Sequence, residues 1–107
     1  MPCYQDDYHA GALQDFARRQ QAGHFHALGQ LLALIDEVIE HGLSSGETPA
    51  DPIAVPDGYG LYERCAPRMF GVFSIVRAPA PGQLPVLRLL AVDTSAAAAR
   101  AAAAARV

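Results

Sequence analysis

Tyr59-Gly-Leu-Tyr-Glu-Arg-Cys-Ala-Pro-Arg-Met-Phe-Gly-Val-Phe-Ser-Ile-Val-Arg77, with its continuation Leu84-Pro-Val-Leu-Arg-Leu-Leu-Ala-Val-Asp93, carries the long β-type runs of this chain. Every other segment must find a place against them. Residues 59–65 read as one strand. Residues 69–77 are apolar on both faces, the pattern of a strand inside a sheet. After the connecting loop 78–85, Pro85 opens a third strand over 86–93; proline lacks the N–H a ladder needs and is tolerated at a strand's start or edge.

Upstream, Leu13, Phe16 and Ala17 recur at i, i+3 and i+4 and predict a helix over 10–21. Arg18 and Arg19 lie near its C-terminal end, where the helix dipole favours cations. A second helix spans 24–41, with Phe25, Leu28, Leu32, Ile35 and Ile39 in one apolar stripe that Leu31 and Val38 widen. His41-Gly42 closes it, the glycine suiting a left-handed terminal position. A short loop around Gly23 joins the two into a helical hairpin whose stripes need a sheet to cover.

Residues 1–9 read as an edge strand or a lead-in. Residues 43–58, with three prolines and two glycines, read as a loop with a short extended piece at 53–55. The tail, 95–107, is nearly all alanine, and Thr94 or Ser95 can cap it. So short a helix is marginal in isolation, so it either docks through its alanine face or frays. The expected fold class is α+β: an N-terminal helical hairpin (10–42) on a three- to four-stranded antiparallel sheet (59–93), with a short Ala-rich C-terminal helix, all in one domain, 1–107.

Composition narrows the function. Hydrophobic residues make up 51% and charged residues 18%, the balance of a folded chain. The net charge is −3 and all eight basic residues are arginine, so nucleic-acid contact needs a local arginine patch. No apolar run approaches the roughly 20 residues of a membrane span. No basic segment followed by an apolar one opens the chain, so a cytoplasmic location is expected. Cys3 and Cys65 are expected as free thiols. His9, His24, His26 and His41 read as surface residues rather than metal ligands, since His24 and His26, two apart on a helix, point away from each other. No cofactor motif is present.

Gly60-Leu61-Tyr62-Glu63 and Phe70-Gly71-Val72-Phe73, set in the order helix, helix, loop, three strands and short helix, resemble the RelE/ParE toxin superfamily, in its HigB or phage-derived branch. The resemblance implies an endoribonuclease acting on ribosome-bound mRNA, with an antitoxin or other protein partner. Arginines would stabilise charge developing on a phosphate. Arg64, Arg68 and Arg88 are the candidates for that role, with Tyr59, Tyr62 and Arg77 as substrate-binding residues on the sheet's uncovered side. The family's own arginine positions fall at Cys65 and Gly71 here, and a one-residue shift in a strand sends a side chain to the other face. The alternative reading is a non-catalytic protein-binding module, such as a small inhibitor or adaptor, in which the arginines pair with Glu63 and Asp93.

Overall fold

The computed structural model describes residues 1–45, 48–55 and 60–107. In chain order its elements are β1 (Gln5–Tyr8), α1 (Ala10–Gln21), α2 (Phe25–His41), β2 (Asp51–Ile53), β3 (Leu61–Ala66), β4 (Met69–Val76), β5 (Val86–Asp93) and α3 (Ala96–Arg106). The expected α+β class is what forms. The sheet has five strands in the order β1-β5-β4-β3-β2 and is mixed: β2, β3, β4 and β5 run antiparallel, and β1 lies parallel to β5 at the edge.

β4 sits inside the sheet, as its two apolar faces require. The β3–β4 hairpin closes on Pro67 and Arg68, with Ala66 paired to Met69 and Arg68 at φ 63. Proline followed by a positive φ is the arrangement of a type II turn, a place glycine usually fills. In β5 the register slips, because Val72 pairs with Ala91 while Phe73 pairs with Leu89. The extra residue, Leu90, breaks the alternation. Leu87, Leu89 and Val92 therefore join the core beneath α1 and α2, while Leu90 and Ala91 both pack under α3.

Among the described residues, both faces of the sheet carry helices. Leu28, Leu31, Ile35 and Val38 of α2 and Ala12 of α1 pack on Met69, Phe73, Leu87 and Leu89. The opposite face, made by Leu61, Val72, Leu90 and Ala91, is covered by α3 through Ala99 and Ala103, both 0% exposed. The tail is thus a docked helix, with the Ser95 Oγ accepting the Ala98 N–H at 3.3 Å as its cap. Alanine suits this seat: a larger side chain would hold α3 off the strands. Both helices of the hairpin are turned relative to the expected stripes. Leu13 of α1 is 55% exposed and Phe25 of α2 is 64% exposed, while Asp15 points inward at 5%.

Candidate functional site

The arginines separate. Arg64 and Gly71 are direct partners across the β3–β4 ladder and both face α2. Arg64 is 2% exposed. Its Nη2 donates to the Ser45 Oγ at 3.0 Å, and its Nε and Nη1 meet no acceptor among the described residues. Burial pulls this guanidinium below its ordinary pKa, against the pull of the Glu37 and Asp51 carboxylates. Arg68 is exposed at the hairpin turn. Tyr62, on the α2 side, stacks on Phe73 with ring centroids 5.8 Å apart and packs against the core. Tyr59 lies outside the described residues.

Arg77 and Arg88 do come together. With Ser74, Leu90 and Arg106 they line a groove of ≈ 570 Å³ on the α3 side of the sheet. Arg88 Nε donates to Asp7 Oδ2 at 2.7 Å, and that bond holds the Asp7 carboxyl below the usual carboxylate range. Arg106 Nη1 donates to Asp15 Oδ2 at 2.7 Å and to the Leu90 carbonyl at 2.8 Å. Arg77 is exposed and has no ion pair among the described residues. Two of the three cations are already neutralised, so among the described residues the groove offers one free guanidinium beside two engaged ones. Arg106 was not legible as a groove residue, because only the docking of α3 brings it there.

The expected ion pairs also rearrange. Glu63 faces α3 and accepts from Arg100 in a forked pair, Nε to Oε2 at 2.8 Å and Nη2 to Oε1 at 3.2 Å. Asp93 instead accepts from the Ser95 N–H at 3.1 Å, next to the start of α3. Cys3 and Cys65 are free thiols. Partial desolvation of its sulfur and the Glu63 charge push the Cys65 thiol up, away from a reactive thiolate. Among the described residues no three His, Cys, Asp or Glu side chains gather where one ion could be held, and no helix is long and apolar enough to cross a membrane.

A second opening lies on the other side. Tyr8, Ala12, Leu13, Phe16, Leu32 and Leu89 enclose an apolar crevice of ≈ 200 Å³ between β1, α1 and α2. The Tyr8 hydroxyl donates to Asp6 Oδ2 at 3.0 Å. Burial first, and then the bond to Asp6, push the Tyr8 phenol up to about 12. An unfolded tyrosine ionises near about 10. This contribution to stability is therefore full below pH ~10 and lost as pH rises through the folded value. In an absorbance titration at 295 nm, Tyr8→Phe is expected to delete a late-ionising component and Asp6→Asn to move it to lower pH. An unchanged late component in both variants would contradict the assignment.

No family model, no curated protein and no solved structure matches this chain.

Proposed function

We propose that this chain is a non-catalytic binding module. The separation of Arg64, Arg68 and Arg88 supports this reading best: one is beneath α2, one at a turn, and one ion-paired on the α3 side. Cations that stabilise a phosphoryl transition state must converge on one oxygen cluster, within hydrogen-bond reach of a general acid or base. The α3-side groove contains Ser74 and three arginines, and no histidine or carboxylic acid among its lining residues.

A second reading is a divergent RelE/ParE-like toxin acting on ribosome-bound mRNA through an arginine patch. What favours it is the meeting of Arg77 and Arg88 with Arg106 in one concave groove. One set of measurements separates the two. Expression in bacteria should leave growth and translation unchanged, and purified protein should leave single-stranded RNA intact over hours. Arg64→Ala, Arg68→Ala and Arg77→Ala should behave like the parent chain in both assays. RNA cleavage that Arg77→Ala or Arg88→Ala abolishes overturns the binding-module reading.

A further inference from the structure

β1 is an edge strand whose outer side pairs with no strand among the described residues. Gln5 and His9 give their N–H groups to the carbonyls of Pro85 and Leu89, each at 2.9 Å. In a parallel ladder the intervening residues then direct the backbone groups of Asp6 and Tyr8 outward. Beside that edge lies the apolar crevice, with Leu89 as its floor and Leu13 and Tyr8, 55% and 39% exposed, at its mouth. At ≈ 200 Å³ it is smaller than the roughly 300–1,000 Å³ of small-molecule sites and suits a single large side chain. Its rim is acidic. Asp6 holds the Tyr8 hydroxyl, and Asp36, one turn beyond Leu32 on α2, is close enough for its charge to act on Tyr8.

Resting on the binding-module reading, we propose that the β1 edge and this crevice together dock an extended, basic segment of a partner protein. The segment adds a strand to β1, inserts one large apolar side chain between α1 and α2, and sets flanking arginines or lysines against Asp6 and Asp36. Charge argues against a second copy as the occupant. Two β1 strands paired antiparallel about a twofold axis would, in the registers centred on the strand, set Asp6 opposite Asp6 or Asp7 opposite Asp7, a like-charge pair that destabilises the ladder.

The probe is a capped peptide, Val-Arg-Val-Phe-Val-Arg, whose arginines share the face of its Phe in a strand, titrated into isotope-labelled full-length protein and followed by NMR. Saturable shifts are expected at the Asp6 and Tyr8 amides and at the Leu13 and Leu32 methyl groups. Changing the peptide's Phe to Ala should weaken binding roughly 10- to 100-fold, the effect of withdrawing one buried aromatic side chain. Val-Glu-Val-Phe-Val-Glu should not bind. Leu13→Gln, at an exposed position, should weaken binding without moving the thermal midpoint. Absence of saturable shifts, equal binding of the acidic peptide, or shifts confined to the α3 side would overturn the proposal. So would a concentration-dependent dimer, seen by sedimentation, that Leu13→Gln dissolves. Peptide failure with intact RNA defeats this inference alone, whereas RNA cleavage defeats the reading beneath it.

Discussion

Asp15→Ala is expected to destabilise the chain by about 3–5 kcal/mol, the scale of removing one partner from a buried ion pair. β1 ends at Tyr8, so β5 loses its neighbour beyond Leu89. Side chains continue the missing edge. Asp15 Oδ2 accepts the Val92 N–H at 3.2 Å, and Arg106 Nη1 donates to the Leu90 carbonyl at 2.8 Å while also reaching Asp15 Oδ2 at 2.7 Å. One carboxylate therefore ties α1, β5 and α3 together across the end of the sheet. Its removal leaves a guanidinium with a side chain only 23% exposed without its counter-charge, and a buried N–H without its acceptor. Gly11 belongs to the same arrangement, since a Cβ there would lie 2.5 Å from Arg106 Nε. Asp15→Asn keeps an acceptor and should lose less. In a double-mutant cycle with Arg106→Ala the coupling should be about 1–3 kcal/mol. Urea unfolding reads both, and a loss below about 1 kcal/mol for Asp15→Ala would show that this edge is held by other means.

That network explains what the sequence left hidden. Local periodicity carried the helix bounds well: α1 forms over the expected residues, and α2 differs only in that His24 precedes it. β4 and β5 were legible for a similar reason, as apolar runs broken only by Ser74 and Arg88 before Asp93. The orientation of α1 was not. Apolar spacing puts Leu13 inward, but Asp15 is drawn in by Arg106, 91 residues away, and the helix turns with it. No window of neighbouring residues holds that information. β1 was obscure because its four residues, three of them polar or acidic, take their strand form from β5 rather than from propensity. The tail's alanines were ambiguous between docked and frayed until the small side chains of Ala99 and Ala103 met a matching apolar face. The candidate site suffered most. A groove assembled from β4, β5 and α3 depends on which helix covers which face, and alternation along a single strand cannot say that.

Gly71→Arg, which places a cation where the toxin resemblance expects one, should cost at least about 4 kcal/mol and leave little folded protein. A Cβ at Gly71 would stand 3.1 Å from both Leu31 Cδ atoms and 3.4 Å from Ile35 Cδ1. Those side chains belong to the two α2 residues that are 1% and 2% exposed, so they have little room to retreat. A methyl group demands a few tenths of an ångström from them, and Gly71→Ala is expected to lose only about 1 kcal/mol. A guanidinium demands that α2 leave the sheet, beside an Arg64 that is already buried on the same face. The absence of an arginine at position 71 and the close seat of α2 are thus one structural fact: the helix occupies the surface where the resemblance would put that cation, while position 65 faces the other side of the sheet. Thermal unfolding of both variants tests this, with circular dichroism to confirm helix content. A Gly71→Arg protein that stays within about 1 kcal/mol of the parent would mean that α2 lifts easily from the sheet, and the face beneath it would become a candidate for RNA.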